Sequence, residues 1–384
     1  MRAIRTALLP ALILIGCTAA SDTGNAGQAP AAASDGRPFA VEEIAQFNEP
    51  WAMTFLPGGR QALITERPGA LKLWTVEGGA IDVAGVPAVE HGGQGGLGDV
   101  IVHPDFANNN IVYLSYAEAD EGGTRHAAVG RGQLVVEGEA ARIDGFQVIW
   151  RQEPGFTGRG HYGHRLAFSP DGRFLYISSG ERQQFDPAQD RNSNAGKIVR
   201  LSDTGMVPSD NPFYDQGRII SQVWSLGHRN PLGLAFDGEG RLWNVEMGPQ
   251  GGDELNLVER GANYGYPIVS NGDHYDGRPI PNHDTRPEFV APKITWTPVI
   301  SPSSLIFYSG DLFPQWRGSA FIGGLSSRSL VRVTFDGNNA SEAERFDMGQ
   351  RIREVEQGPD GSLYLLEDQR EGSGGRLLRL TPAS

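Results

Sequence analysis

Short apolar segments separated by turn residues recur along the chain and determine the expected fold class. In six of them an apolar strand runs into a turn of Pro, Asp or Gly and then toward a second strand: residues 52–64, 99–106, 165–177, 233–243, 305–311 and 355–366. Turns such as Pro-Asp-Gly and Pro-Gly-Gly place a residue of fixed φ before one that tolerates positive φ, which favours chain reversal between strands. The pattern therefore predicts six β-hairpins.

Further strands follow the hairpins, because apolar and polar residues alternate with period two in segments such as 196–201, 330–335 and 376–380. From residue 52 to the C-terminus the spacing averages about 55 residues, which suits a four-stranded sheet with a generous loop. One such sheet cannot cover its own faces, so six are expected to pack around an axis. The predicted fold is all-β, a six-bladed β-propeller, with a pair of β-sandwiches as the alternative. The segment 39–47 is predicted to pair with the last sheet and close the ring, which removes an exposed edge.

The first residues have the pattern of an export signal. Arg2 and Arg5 precede an apolar run over residues 7–15, which is too short to span a bilayer. The run ends in Leu-Ile-Gly before Cys17, which resembles a bacterial lipobox. We predict that residues 1–16 are a lipoprotein signal peptide and that Cys17 is lipidated. The alternative is an ordinary secretory peptide cut after Ala19 or Ala20.

The rest of the chain divides into a linker and one folded domain. Residues 17–38 are rich in Ala, Gly, Ser and Pro and are predicted to be a flexible tether. Residues 39–384 form the predicted functional domain. We expect the protein to be exported to the periplasm and to be held at a bacterial membrane only through its N-terminal lipid. The expected membrane is the outer one.

Charge and cysteine content limit which partners and metal sites are expected. The chain of 384 residues has 33 basic and 46 acidic side chains, a formal charge of −13, and no block of Lys or Arg, so nucleic acid is not an expected partner. The single cysteine, Cys17, lies in the extreme N-terminal segment. The folded domain is therefore expected to have no internal disulfide and no thiolate metal site.

Polar residues concentrate in loops, and propeller loops on one face converge on the axis. The glycine-rich segment 91–99 lets backbone approach a flat ligand and contains Gln94 as a donor and acceptor; a mobile linker is the alternative. His161 and His164 precede a predicted strand. Because no third ligand of fitting type is near, a general base is preferred over a metal site, and an isolated surface pair is the alternative.

Two further loops contain candidate ligand-binding groups. Arg229 and Asn230 lie side by side before a proline and can fork onto a carboxylate or a quinone oxygen. Gly248 and Pro249 expose backbone carbonyls close to Asp253. Oxygen ligands of that kind suit Ca²⁺ better than Zn²⁺, although the spacing is not that of an EF-hand.

The motifs together resemble a known family. The runs GHYGHRL from Gly160, WSLGHRNPLG from Trp224, GPQGGDELNL from Gly248, GANYGYP from Gly261 and RIR from Arg351 are similar, in this order, to the soluble pyrroloquinoline quinone (PQQ)-dependent aldose sugar dehydrogenases of the glucose/sorbosone dehydrogenase family. The resemblance extends over about residues 51–380. It implies a six-bladed propeller that oxidises aldoses to lactones with hydride transfer to PQQ, assisted by Ca²⁺, and passes electrons to an acceptor that it does not identify.

The resemblance also implies roles for single residues. His161 would take the proton of the anomeric hydroxyl, while Arg229 and Asn230 would meet the quinone edge. Gln94 would lie at the cofactor and face the substrate. Gly248 and Pro249 would offer backbone carbonyls to Ca²⁺, and Asp253 would support them. Arg351 and Arg353 would bind the carboxylates of the cofactor.

The chain departs from the family pattern at two positions. Ser326 stands where the family has a PQQ-binding lysine, and Arg328 is the candidate substitute. Gly160 stands where the family commonly has an acid next to the base, and His164 is the candidate that compensates. Two other functions stay open: a calcium-dependent propeller lactonase or other hydrolase, and a non-catalytic sugar-binding lipoprotein.

Overall fold

The computed structural model describes residues 36–370 and 374–383 and shows an all-β architecture. The predicted signal peptide, Cys17 and the tether up to residue 35 lie outside the described residues. No helix in the described part has the length and apolar character needed to cross a membrane.

Strands dominate the described chain. In chain order they are β1 (Phe39–Gln46), β2 (Pro50–Phe55), β3 (Gln61–Glu66), β4 (Ala70–Thr75), β5 (Gly79–Ala84), β6 (Leu97–Val102), β7 (Ile111–Ala119), β8 (Arg125–Glu137), β9 (Ala140–Arg151), β10 (Gly163–Phe168), β11 (Phe174–Ser179), β12 (Lys197–Ser202), β13 (Val223–Leu226), β14 (Pro231–Phe236), β15 (Leu242–Glu246), β16 (Asp253–Leu257), β17 (Ile294–Trp296), β18 (Pro302–Phe307), β19 (Ala320–Gly324), β20 (Ser329–Asp336), β21 (Asn339–Asp347), β22 (Ile352–Gln357), β23 (Leu363–Glu367) and β24 (Arg376–Pro382). The helices are short: α1 (Phe106–Asn109) and 3₁₀ turns at Asp186–Ala188, Tyr214–Gln216, Ile219–Gln222, His283–Thr285 and Pro314–Trp316.

The strands form four-stranded antiparallel units. Three are consecutive, β10 to β13, β14 to β17 and β18 to β21, and a fourth has the order β1-β24-β23-β22. The remaining eight strands form one sheet whose halves, β2 to β5 and β6 to β9, join through a short parallel pairing of β5 with β9. Each of the six predicted hairpin segments begins in the first strand of one unit, and the following alternating segments are β12, β20 and β24.

The first strands of the six units occupy equivalent places. Each of β2, β6, β10, β14, β18 and β22 has four buried residues followed by two half-buried ones. They contact one another in a closed ring in which β22 returns to β2. Loops that precede these strands therefore meet around one axis, which is where the candidate residues lie.

The N-terminal strand closes the arrangement as predicted. β1 pairs antiparallel with β24, from Phe39 opposite Pro382 to Gln46 opposite Arg376. This pairing covers the edge of the last sheet with the start of the domain. It also places the first and last units side by side.

Apolar clusters lie between neighbouring sheets. Trp243, Leu255 and Leu305 belong to one cluster that joins β15 and β16 to β18, and a second cluster joins the two halves of the eight-stranded sheet. Burial of this kind contributes about 25 cal/mol per Å² of apolar surface. Each sheet is thus held chiefly by its neighbours.

Arg165 ties the ring together at its centre. Its guanidinium lies 4.1 Å from the ring centroid of Trp51 on β2 and makes polar or ionic contacts with the four other neighbouring first strands. Those contacts are Asp99 Oδ1 (3.4 Å), the carbonyls of Leu232 (2.7 Å) and Ser303 (2.5 Å), and Glu354 Oε2 (2.6 Å). One buried side chain of β10 therefore contacts the first strands of all five other units.

Candidate functional site

His161 lies just before β10 in a buried position. It is 5 % exposed and adopts a left-handed φ of 47°. Its backbone N–H donates to Gln94 Oε1 at 2.8 Å. A Cβ at Gly180 would lie 2.2 Å from the His161 carbonyl oxygen, so only glycine fits beside this turn. The backbone on both sides thus fixes where the imidazole stands.

Glu181 orients the imidazole. His161 Nδ1 lies 2.5 Å from Glu181 Oε1, and both side chains are buried. Sequence reasoning missed this residue. The register of the β10–β11 hairpin could have found it, because Gly163 pairs with Ser179 and extending that register two residues outward on each side reaches His161 and Glu181.

The second oxygen of Glu181 holds a strained loop. Oε2 accepts the backbone N–H groups of Gln184 (2.6 Å) and Phe185 (2.7 Å). Arg182, Gln183 and Phe185 all have positive φ between 61° and 64°, a conformation that costs free energy in residues other than glycine. The loop keeps that conformation because the Glu181 carboxylate and its neighbours over-determine it.

Electrostatics keep the imidazole neutral. Burial lowers the pKa of His161, and the charges of Arg229 and Arg182 act in the same direction, against the opposing effect of Glu181. Burial alone would raise the pKa of Glu181, but the hydrogen bond with His161 and the N–H of Phe185 lower it overall. The arrangement therefore assigns the proton to Nδ1, which donates to a carboxylate, and leaves Nε2 as the basic nitrogen.

Arg182 braces the segment before the base. Its guanidinium donates to the carbonyls of Gly160 (2.8 Å) and Gly158 (2.5 Å) and lies over the Tyr162 ring at 3.6 Å. A Cβ at Gly160 would approach the Gln183 amide oxygen to 2.2 Å. Glycine at this position therefore leaves room for the loop that Glu181 controls.

The expectation that His164 compensates for Gly160 is wrong. Neither ring nitrogen of His164 has a hydrogen-bond partner among the described residues. The ring stacks on Tyr162 at 5.3 Å and meets the edge of Trp51 at 5.9 Å, and burial lowers its pKa to about 3. His164 is a neutral residue that lines a cavity at the centre of the ring, and Glu181 is the residue that orients His161. The alternative of a surface histidine pair is also wrong, because both histidines are buried.

Arg229 connects the base to the glycine-proline loop. Its carbonyl accepts the N–H of Glu181 (2.9 Å), and its Nη1 donates to the carbonyls of Met247 (3.0 Å) and Gly248 (2.6 Å). The Arg229 N–H donates to Glu246, whose other oxygen contacts His228 Nδ1 at 2.9 Å. His161, Arg229 and Gly248 therefore lie in one bonded network on the same side of the ring.

Several buried donors of the predicted site residues lack acceptors. Arg229 Nε, Asn230 Nδ2 and Arg351 Nε have no hydrogen-bond partner within the described part of the chain. Asn230 is fully buried, and its Oδ1 is the atom that accepts the N–H of Gly163 at 3.3 Å. Unpaired buried donors are costly unless a ligand supplies acceptors. These three suit a ligand with carbonyl or carboxylate oxygens, such as PQQ.

The loop of Gly248 and Pro249 fits a cation only in part. Asp253 supports it, because Oδ1 accepts the Gly248 N–H (2.8 Å) and Oδ2 accepts the Ser301 N–H (2.6 Å); burial raises the pKa of Asp253 to about 6. The Gly248 carbonyl already accepts Arg229, and no group of three or more His, Cys, Asp or Glu able to hold a metal occurs in residues 36–370 and 374–383. Because Ca²⁺ takes six to eight oxygens, the loop suits a cation shared with a bound ligand.

A central cavity of about 190 Å³ is lined by Gln94 and Tyr162, the hydrogen-bond partner and the chain neighbour of His161. His161, Arg229 and Gly248 are not among its described lining residues. The predicted residues Gln94, Arg351 and Arg353 all line it, together with Arg67 and Arg370, which sequence reasoning missed. Arg353 pairs with Asp368, and Arg351 Nε lies 3.6 Å from the same carboxylate. The nearby guanidiniums lower the pKa of Asp368 even though burial alone would raise it.

The position of the family's lysine lies outside the lining of this cavity. Ser326 is exposed and donates to the Val299 carbonyl at 3.3 Å. Neither Ser326 nor Arg328 is among the described residues that line the central cavity. The substitution of Arg328 for the family's cofactor-binding lysine therefore gains no support from this cavity and stays a prediction.

Comparison with known proteins places the chain among sugar dehydrogenases. The family model described as Glucose / Sorbosone dehydrogenase matches residues 47–379. The chain is 40% identical over 345 residues to aldose sugar dehydrogenase YliI of Escherichia coli (strain K12), covering 88% of this chain and 91% of that protein. A solved glucose dehydrogenase has 44% identity and a TM-score of 0.84, with 90% and 99% covered. The PQQ-bound aldose sugar dehydrogenase of Streptomyces coelicolor has 29% identity and a TM-score of 0.72, with 92% and 99% covered.

Proposed function

The chain belongs to the glucose/sorbosone dehydrogenase family, and from this premise we propose that it is a PQQ-dependent aldose sugar dehydrogenase that oxidises the anomeric carbon to a lactone with the help of Ca²⁺. We interpret its six four-stranded units as the blades of a propeller, which the closed ring of first strands supports. PQQ, when bound, supplies the quinone that accepts the hydride.

One observation carries the proposal: a neutral buried histidine held by a carboxylate stands in the same network as buried donors that lack acceptors. Glu181 fixes His161 and donates its own N–H to the carbonyl of Arg229, while Asn230 accepts the N–H of Gly163, two residues after the base. Arg229 Nε and Asn230 Nδ2 have no partner among the described residues. A base beside unmatched donors is the arrangement expected where a hydroxyl loses its proton near a group that gains negative charge.

The chain's own residues then have distinct tasks. His161 Nε2 takes the proton of the anomeric hydroxyl, and Glu181 stabilises the imidazolium that forms. Gln94 uses its oxygen for the His161 N–H, so its amide nitrogen is left to donate to the sugar. Arg229 and Asn230 would hold the quinone edge of the cofactor with their donors, and Arg351 and Arg353 would bind its carboxylates. Gly248 and Pro249 would hold Ca²⁺ jointly with the cofactor, and Asp253 would keep that loop in place.

Reduction of an artificial electron acceptor tests the activity. Purified protein supplied with PQQ, Ca²⁺ and an aldose should bleach the dye, and His161→Ala should lower kcat by about 10²- to 10⁴-fold with an unchanged unfolding midpoint. Absence of dye reduction across a panel of aldoses would refute the proposal. Lactone hydrolysis by protein given calcium alone would favour the hydrolase, and calorimetric sugar binding without turnover would favour the binding protein.

We also propose that the protein is exported and anchored through lipid on Cys17, with the domain reaching the periplasm on the tether of residues 17–38. The residue pattern of the first seventeen positions supports this. Cys17→Ser should abolish incorporation of labelled fatty acid and release the protein from the membrane fraction. Equal incorporation in both forms would contradict the proposal.

A further inference from the structure

The central cavity has more positive charge than its surroundings neutralise. Arg67, Arg351, Arg353 and Arg370 line it, and none of the described lining residues carries a carboxylate. Two carboxylates lie behind these four guanidiniums: Asp368 beside Arg351 and Arg353, and Glu49 beside Arg67 at 3.1 Å. Because the whole chain carries −13, this concentration of positive charge is local and is directed into a cavity.

Arg67 and Arg370 are brought together by one carbonyl. Gly93 accepts Arg67 Nη2 at 2.7 Å and Arg370 Nη2 at 3.2 Å. Arg67 also donates to the Gly95 carbonyl at 3.2 Å and is 9 % exposed. Burial and the nearby charge of Arg370 lower the pKa of Arg67, while Glu49 opposes them. Two like charges converge here at a free-energy cost that an anion between them would remove.

We propose that Arg67 and Arg370 are carboxylate anchors of the anionic cofactor, in addition to Arg351 and Arg353. The inference rests on the proposed function and assigns two residues to binding of the cofactor. PQQ bears three carboxylates, and a guanidinium fork binds a carboxylate through two parallel hydrogen bonds. Arg370 is the more exposed of the two, and among the described residues its side chain has one hydrogen bond to a backbone carbonyl, so its guanidinium is the freer to turn toward a ligand.

Binding of PQQ, followed without turnover, tests the assignment. Trp51 lines the cavity, so PQQ should quench tryptophan fluorescence and give a Kd in the presence of Ca²⁺. We expect Arg370→Gln to raise this Kd by about 10- to 100-fold, the usual effect of losing a charge-assisted hydrogen bond. Arg67→Lys keeps the charge and so protects the fold, and it should raise Kd by about tenfold because the fork is lost.

Arg159→Gln is the matched control. Arg159 pairs with Glu90 at 2.8 Å, its side chain is 49 % exposed, and it approaches the same glycine loop without lining the cavity. The Kd of Arg159→Gln for PQQ should equal that of the wild type. PQQ should also raise the unfolding midpoints of the wild type and of Arg159→Gln more than it raises the midpoint of Arg370→Gln.

The binding experiment distinguishes failure of the arginine assignment from failure of the proposed function. If the wild type binds PQQ and the Arg370 and Arg67 variants bind it equally well, or if Arg159→Gln is weakened as much as Arg370→Gln, the anchors are wrong and the proposed function stands. If the wild type takes up no PQQ with Ca²⁺ present, both proposals are refuted.

Discussion

Replacing Glu181 with glutamine should disable the base while keeping the shape of the site. The N–H groups of Gln184 and Phe185 both donate to Glu181 Oε2, so in the variant they require the amide oxygen on their side. The amide NH₂ then faces His161 Nδ1, which can only accept. The imidazole proton must therefore move to Nε2, the nitrogen that has to be unprotonated to act as a base.

The expected loss follows from what the pair contributes. General base catalysis is worth about 10²- to 10⁴-fold, and a base held in the wrong tautomer loses most of that contribution. Stability should change little, because both backbone donors keep an acceptor and the side-chain volume is unchanged. We therefore expect kcat to fall by about 10²- to 10⁴-fold with a nearly unchanged unfolding midpoint.

Steady-state dye reduction with an aldose measures the fall in kcat. A double-mutant cycle then tests whether Glu181 acts through His161. If Glu181 acts through His161, then Glu181→Gln added to His161→Ala should cost nothing further. PQQ affinity should stay near the wild-type value in both variants. A Glu181→Gln enzyme within about threefold of wild-type kcat, or full additivity in the cycle, would refute the assignment of the dyad.

Three further expectations follow. Burial lowers the pKa of His161 and the neutral form is the base, so the acidic limb of the kcat/KM profile should lie below pH 6.5; a midpoint at or above 6.5 contradicts this. Arg165→Met leaves buried Asp99 and Glu354 without their guanidinium and should lower the free energy of unfolding in urea by about 3 to 5 kcal/mol, whereas Arg173→Gln at an exposed pair should leave it unchanged. Chelation of Ca²⁺ should abolish PQQ uptake reversibly at a constant unfolding midpoint, and loss of the fold instead would show that the cation is structural.

Local sequence patterns were sufficient to predict the strands but not to predict which charged side chains contact one another. Pro-Asp-Gly turns and period-two alternation act between neighbours in sequence, so the hairpins at 165–177 and 355–366 appear where they were predicted. His161, Arg229 and Gly248 were also predictable as loop residues before or after buried strands. The partner of His161 was assigned wrongly, because His164 is close in sequence whereas Glu181 is close in the antiparallel register.

The residues that sequence reasoning missed share one property: each depends on contacts between distant segments. Glu181 reaches His161 because β11 returns beside β10. Arg370 reaches Arg67 because the last unit lies beside the first, where β22 and β23 contact β2 and β1 pairs with β24. The four arginines of the central cavity therefore lie on its side where the ring closes, since Arg67 belongs to the first unit and the others to the last. Any change that opens the ring there, such as loss of β1, would separate the two arginines before it disturbed the His161–Glu181 pair, which lies within a single hairpin. Cofactor affinity should consequently be more sensitive to ring closure than the geometry of the base.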